Sequence, residues 1–321
     1  MKISKTNCVR GLSKLKDVDL IFADPPFNIG QDYANYDDRM DDVQFASFFH
    51  LWINYAATSL REGGILVVHI PFELISLTSD AAKNAGLIQY DNVVWNFGFA
   101  QNCTTKHPKS DAHAIYFYKP PKELRTWNGD QVQVPTDRAT KYNDPRTTQS
   151  ATPGMKVVGN VWGGPFMGRV QGNNKERVVG RPNQLPEMYV ARFIRSLSNP
   201  GDLVVDPFLG TGTTAVVCQS LGRNFIGFDL DADAVKLAKK RLKRGVVRDV
   251  TNEDWIKAPS TRKWHSATVA KRWGRGIPVL TKRVHQGQTI YEALNEHRPD
   301  LVDAMVARPG KWSFRKIEDD S

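Results

Sequence analysis

Short apolar runs that end in a carboxylate, each followed by a helical pattern, constrain the fold of this chain more than any other feature. DVDLIFAD ends at Asp24, DLVVD ends at Asp206 and FIGFD ends at Asp229. A continuous apolar run reads as a strand buried on both faces, the mark of a parallel sheet covered by helices. Residues 18–23 and 65–70 (ILVVHI) are of this kind, and residues 90–97 and 112–119 read as further strands. Residues 45–60 carry Phe45, Phe48, Phe49, Trp52, Ile53, Ala56 and Leu60 at helical spacing, and Arg-Glu-Gly-Gly breaks the pattern. Residues 74–85 form a second helical pattern, stopped at Gly86. The alternation resumes with a helix over 186–197, a strand over 202–206, a helix over 214–221, a strand over 225–229 and a basic helix over 233–244. Such alternation predicts an α/β fold with a doubly wound, largely parallel sheet.

Between residue 120 and residue 180 the alternation fails. Pro, Gly, Asn, Thr and Gln are common there, and residues 153–172 hold six glycines. The segment still carries Trp127, Tyr142, Met155, Val161, Trp162, Phe166 and Met167, so it reads as a loop-rich insert or small subdomain. Charge changes at the same place. Residues 1–100 hold 8 Lys/Arg against 12 Asp/Glu, residues 101–200 hold 15 against 7, and residues 201–321 hold 21 against 15, giving a net charge of +10. A basic region on an otherwise acidic body points to a polyanion such as nucleic acid; a surface charged for solubility is the plainer alternative. After residue 249, short helical patterns over 266–273, 277–285 and 289–296 suit a helix-turn-helix, or else a basic tail packed on the main domain. The expected organisation is a main domain of 1–120 and 178–248, an insert of 121–177 and a small helical C-terminal unit of 249–321.

Several classes are set aside. No run of 18 apolar residues exists, so no membrane span is expected. The N-terminal stretch lacks the apolar core of a signal peptide. Cys8, Cys103 and Cys218 are scattered and odd in number, which fits a reducing cytoplasm rather than a disulfide framework. Neither CxxC nor HExxH is present, so no metal site is expected.

The turn DLVVDPFLGTGTT (202–214) carries the first chemistry. A strand ends at Asp206, and a glycine turn opens a helix whose free N–H groups can meet polar ligand groups. No Lys follows Gly212, so the phosphate loop is absent. Asp229, at the next strand tip, is placed to accept ribose hydroxyls. Asp206 would repel a pyrophosphate and attract a cation. S-adenosylmethionine has an adenosine, an ammonium and a sulfonium, and no phosphate, so it is favoured over NAD. Asp206, Gly210, Thr211, Gly212, Thr213 and Asp229 form the expected cofactor site.

DPPF (24–27) resembles the DPPY motif of amino-group DNA methyltransferases. DPFLGTGTT (206–214) resembles their FxGxG cofactor motif, which adds Phe208 to the cofactor residues. The catalytic motif comes first, the cofactor motif last and a basic insert lies between, an order similar to the β group of these enzymes. LREGGILVV (60–68), VVWNFG with DAHAIYFYKPP (93–121) and RPNQLPE (181–187) extend the resemblance from residue 3 to residue 245. It implies a Rossmann-like methyltransferase fold, S-adenosylmethionine as methyl donor, double-stranded DNA as substrate and Asp24, Pro25, Pro26 and Phe27 as catalytic residues. It also implies a cytoplasmic protein of bacterial or phage origin, and leaves a homodimer and a separate restriction endonuclease open. Phe27 replaces the usual tyrosine, and Asn7 replaces an Asp; both are expected near the target base. Arg181 and Leu185 replace the usual His and Lys, near the cofactor.

The chemistry fits these residue types. An exocyclic amine is a poor nucleophile, because its lone pair is delocalised into the ring. The Asp24 carboxylate and the Pro25 carbonyl would hold its two N–H groups, with the prolines fixing the backbone. Phe27 would stack on a base flipped from the duplex. Asp in the first motif position leans toward N6 of adenine, and Ser there toward N4 of cytosine, which remains the alternative. Methylation at cytosine C5 needs a cysteine nucleophile, usually after a proline, and no cysteine here follows one. Target recognition is expected from Lys141, Arg146, Lys156, Arg169, Lys175 and Arg177 of the insert, since Arg reads base edges and basic residues meet phosphates. Two other readings are a methyltransferase for another amide or amine, on protein or RNA, and an inactive DNA-binding relative. The intact Asp24 and Gly210-Thr211-Gly212 argue against the last.

Overall fold

A computed structural model describes residues 1–251 except 32–37, 99–102, 106, 122–125, 141, 143, 150–151, 165 and 182. The helix-turn-helix expected over 266–296, and nearly all of the expected C-terminal unit, lies outside the described residues.

The first half runs β1 (Lys2–Lys5), α1 (Cys8–Leu12), β2 (Val18–Ala23), α2 (Asp42–Ser59), β3 (Leu60–Ile70), α3 (Ile75–Asn84), β4 (Ile88–Asn96) and β5 (Asp111–Tyr118). The insert contributes β6 (Gln133–Pro135), α4 (Asp137–Thr140), β7 (Met155–Val157) and β8 (Val161–Trp162). Then come α5 (Glu187–Leu197), β9 (Leu203–Asp206), α6 (Thr213–Ser220), β10 (Asn224–Asp229) and α7 (Ala232–Arg244). The helices start where the sequence supplies caps. Asn7 accepts from the N–H groups of Val9 and Arg10, Asp41 from those of Val43 and Gln44, and Asp231 from that of Asp233. On α2, Phe45, Phe49, Trp52, Ile53 and Ala56 fall on one buried face.

Among the described residues, eight strands form one sheet in the order β1-β10-β9-β2-β3-β5-β4-β8. Only β5 runs against the rest, antiparallel to both β3 and β4. The chain leaves β2 toward β3 on one side and leaves β9 toward β10 on the other. The carboxyl ends of β2 and β9 therefore flank a topological switch point, where open α/β sheets bind ligands.

Side-chain alternation divides the core into two layers. Leu20, Phe22, Val67 and Val204 share one with α5 and α6, whereas Ile21, Ala23, Leu66 and Val205 share the other with α1, α2 and α3. Trp52 is fully enclosed in the second layer, and truncating such a residue to alanine costs about 3–5 kcal/mol.

Three details differ from the sequence-based expectations. The edge strand β1 was not anticipated; its one buried residue is Ile3. The Arg-Glu-Gly-Gly stretch belongs to β3 and does not interrupt it. Val18 pairs with Leu60 and Leu20 with Ile65, so the extra residues bulge, and Gly64 lies where a Cβ would meet the Val18 carbonyl at 2.8 Å. The insert is also less separate than its composition suggests. β6 and β7 form a small ribbon, but β8 pairs with β4, and Trp162 and Met167 enter the core.

Candidate active site

Strand register collects the chemistry at one rim. β2 pairs Ala23 with Val68 of β3, so the next step sets Asp24 beside His69. β2 pairs Ile21 with Val205 of β9, so Asp206 stands beside Phe22. β9 pairs Asp206 with Gly227 of β10, and Asp229 follows two residues on. Alternation places Asp24, His69, Asp206 and Asp229 on the face covered by α5 and α6.

Asp24 is half-buried, and no described residue hydrogen-bonds its carboxylate. Burial, and then the charge of Asp206, hold its carboxyl well above the usual range. Pro25 is buried behind it. The loop that follows is clamped. Asn28 takes a left-handed φ of 57°, which its short polar side chain tolerates. Its side chain bonds the Met40 backbone in both directions, at 2.8 Å each. The buried Asp38 carboxylate accepts from the N–H groups of Asn28 (2.9 Å), Ile29 (3.1 Å) and Gln31 (3.0 Å). These bonds fix the DPPF loop and with it the half-buried Phe27 ring. Sequence reasoning missed Asp38, which lies in an acid-rich stretch ten residues further on.

A row of rings extends from Phe27. His69 lies 6.4 Å from it between centroids, Trp95 5.6 Å beyond His69, and Phe97 5.1 Å beyond Trp95. Tyr189 of α5 stacks on Trp95 at 4.8 Å, and its hydroxyl lies 3.0 Å from His69 Nδ1. Burial, with His113 adding, lowers His69 to about 3, so its ring is neutral. Burial and Asp24 push the Tyr189 hydroxyl well above its ordinary value.

The second loop carries the other acids. Asp206 is buried, accepts from the Phe208 N–H at 3.0 Å, and is raised by burial to about 7. Asp229 accepts from Gly210 N–H at 2.8 Å and Asp231 N–H at 2.9 Å, while its half-buried face keeps lone pairs for a ligand. Gly212 has φ 78°, and a Cβ there would meet Ala238 of α7 at 2.7 Å, so the turn and α7 pack closely. Thr211 and Thr213, two of the expected cofactor-site residues, turn their hydroxyls inward to Arg241, at 3.0 and 2.9 Å. The Phe208 ring packs edge-on against Trp52 at 5.2 Å and against Phe48 at 6.3 Å, anchoring the turn from below. Arg181 pairs with Asp231 at 2.6 Å, and the Leu185 carbonyl accepts from Thr213, so both lie by this turn. Asn7 was expected near the target base. Its neighbour Thr6 instead donates to the Asp229 carbonyl at 2.9 Å, which puts Asn7 on the Asp229 side of the rim, capping α1.

The basic residues of the insert are dispersed. Lys141 lies outside the described residues. Arg146 is clamped to Asp144 at 2.7 Å, and that pairing lowers Asp144 to about 2. Lys156 and Lys175 are exposed, and so is Arg177, which donates to the Gly172 carbonyl at 3.1 Å. Arg169 is different: its guanidinium lies 4.2 Å over Phe97, at the end of the ring row that starts at Phe27. No group of His, Cys, Asp and Glu suited to a metal occurs among the described residues, and no described helix is long and apolar enough to cross a membrane.

A switch point flanked by a clamped DPPF loop and an acid-tipped glycine turn defines the class of amino-group methyltransferases. The DNA methylase profile for N6/N4 methyltransferases matches residues 18–240, and the chain belongs to that family. It is 30% identical over 240 residues to the Type II methyltransferase M.HpaI of Haemophilus parainfluenzae, covering 74% of this chain and 72% of that protein. It is 28% identical to the DNA adenine methyltransferase YhdJ of Escherichia coli K12, covering 71% and 76%. Among solved structures it resembles the M1.HpyAVI–SAM complex (TM-score 0.53, 22% identity, 75% of this chain and 98% of that one). It also resembles the cytosine-N4-specific PvuII DNA methyltransferase (TM-score 0.58, 15% identity, 79% and 90%).

Proposed function

We propose that this protein methylates the exocyclic amine of a flipped base in double-stranded DNA, at N6 of adenine, with S-adenosylmethionine as donor. The observation that carries the reading is the half-buried Asp24 carboxylate, bonded to no described residue and set beside the switch point on a clamped loop. When bound, S-adenosylmethionine supplies a methyl group on a cationic sulfur. The residues fit such a group: Asp206 and Asp229 offer carboxylates, the turn carries no lysine, and Gly210 leaves the helix approach open.

The chain's own part is electrostatic and geometric. Asp24 and the Pro25 carbonyl accept the two N–H groups of the amine and draw its nitrogen toward a tetrahedral shape. Phe27 stacks on the base, and stacking is worth about 1–3 kcal/mol per base. As the amine gains a methyl group, its excess proton passes to the Asp24 carboxylate. Phe97, Trp95 and the guanidinium of Arg169 line the approach, while the exposed Lys156, Lys175 and Arg177 suit phosphates. Adenine is supported by the leading Asp of the motif and by the adenine-specific relative. A bacterial cytoplasm, a second copy of the chain and a separate restriction endonuclease are compatible with this reading. The direct test is transfer of labelled methyl from S-adenosylmethionine to unmethylated DNA. Wild type should transfer, and Asp24→Ala should bind donor and DNA yet transfer nothing; transfer by the variant would remove Asp24 from the chemistry.

A further inference from the structure

His69 is a buried imidazole that the chemistry above does not use. It stands beside Asp24 by strand register, and neighbouring strands lie about 4.8 Å apart. Its ring lies between Phe27 (6.4 Å) and Trp95 (5.6 Å), the stacking face and side wall of the proposed base pocket. Its hydrogen bonding is asymmetric. Nδ1 meets the Tyr189 hydroxyl at 3.0 Å, and Nε2 has no partner among the described residues. The hydroxyl donates to Nδ1 in one of the two tautomers this contact allows, and that is the tautomer taken for the reading below. That assignment places the ring proton on Nε2, because a neutral imidazole carries one N–H.

We infer that His69, oriented by Tyr189, is a base-reading residue whose Nε2–H donates to the ring nitrogen next to the target amine. The inference deepens the methyltransferase reading and rests on it. An amino-bearing base presents an N–H₂ donor beside a ring-nitrogen acceptor on its Watson–Crick edge, the edge that flipping enzymes read. Asp24 takes the donor and His69 meets the acceptor. Guanine and thymine present an N–H at the corresponding ring position and would set donor against donor. The pair therefore selects adenine or cytosine over guanine and thymine, and holds the ring so that the amine faces Asp24. The low proton affinity of this buried imidazole keeps it neutral across the working pH range, so reading costs no charge burial.

The test is a chemical double-mutant cycle on duplexes carrying the protein's own target site with either adenine or 1-deazaadenine, which replaces the ring nitrogen by C–H. Wild type should methylate the deaza duplex about 10- to 100-fold more slowly in kcat/KM, the range expected for one buried hydrogen bond. His69→Leu should be slowed on adenine by a similar factor and should lose little more on 1-deazaadenine, because the contact is already gone. Donor affinity of His69→Leu, measured separately, reports whether the rim is intact. The inference is overturned if wild type treats both duplexes alike, or if His69→Leu loses the same further factor as wild type on the deaza base. If wild type methylates no adenine at all, the adenine reading fails first, and cytosine with 3-deazacytosine poses the same question.

Discussion

Arg241 Nη2 lies 3.0 Å from Glu187 Oε1 with both side chains buried, and Arg241 Nη1 reaches Thr211 and Thr213 of the glycine turn. Glu187 also accepts from the backbone N–H groups of Val247 and Arg248, and its own N–H donates to Glu176 of the insert. One buried network thus joins α5, α7, the insert and the glycine turn.

Breaking that network from one side should be severe. Arg241→Ala leaves Glu187 buried without its cation, and removal of one partner of a buried pair typically costs about 3–5 kcal/mol. Urea unfolding should register this loss. Arg241→Met combined with Glu187→Met should recover part of it, because neither charge is then stranded, although the Val247 and Arg248 N–H groups lose their acceptor. Donor affinity should fall in Arg241→Ala even under conditions where the variant is folded, because the turn loses its support.

Asp38 should act on catalysis without touching the base. Asp38→Ala strands three N–H groups of the DPPF loop and frees Phe27. An unmet donor costs about 1–3 kcal/mol when fully buried and less when part-buried, as these are, so kcat should fall roughly 10-fold while the Kd for S-adenosylmethionine changes little. Equal losses in both would place Asp38 in the cofactor site instead.

Phe27 departs from the tyrosine of related motifs, and its half-buried ring is the one proposed above to stack on the base. Phe27→Ala should lower kcat/KM by about 1–3 kcal/mol of stacking, whereas Phe27→Tyr should stay close to wild type. Steady-state kinetics on a target duplex separates the two.

Donor binding should depend on pH through Asp206. Burial raises its carboxyl to about 7, with Asp229 adding and the bonds from Thr214 and Phe208 opposing. A cationic ligand prefers the ionised form. Below pH 7 binding must expel a proton, so affinity should weaken as pH falls, by up to about tenfold per unit. Calorimetry at pH 6 and pH 8 should detect proton release only at the lower value. The ligand-free fold should behave oppositely. Its Asp206 holds a proton up to about 7, against about 3.9 when unfolded, so this group's contribution to stability declines as pH rises through that window.

The sequence made the central strands readable because both of their faces are buried. Residues 20–23 and 203–205 are apolar throughout, and Asp24 and Asp206 follow and punctuate them. It hid β1, an edge strand whose KISK alternates one buried residue with lysines and serine. It suggested a break at Gly63-Gly64, where the backbone bulges inside a strand. The acids of both loops were legible because an acid at a strand tip has few structural reasons to be there. The inward turn of the Thr211 and Thr213 hydroxyls carried no local signal, because their partner Arg241 comes 28 residues after Thr213. His69 carried no signal at all within ILVVHI; its meaning depends on Tyr189, 120 residues away, and on register with Asp24. Local pattern identifies elements and acid-tipped turns, whereas hydrogen-bond partners distant in sequence decide where the side chains of those turns point.

The most direct measurement is nucleoside analysis by mass spectrometry of DNA from a methylation-free host expressing the protein. Wild type should yield N6-methyladenine and Asp24→Ala none. N4-methylcytosine in place of N6-methyladenine, or no methylated base with folded wild-type protein, would contradict the assignment.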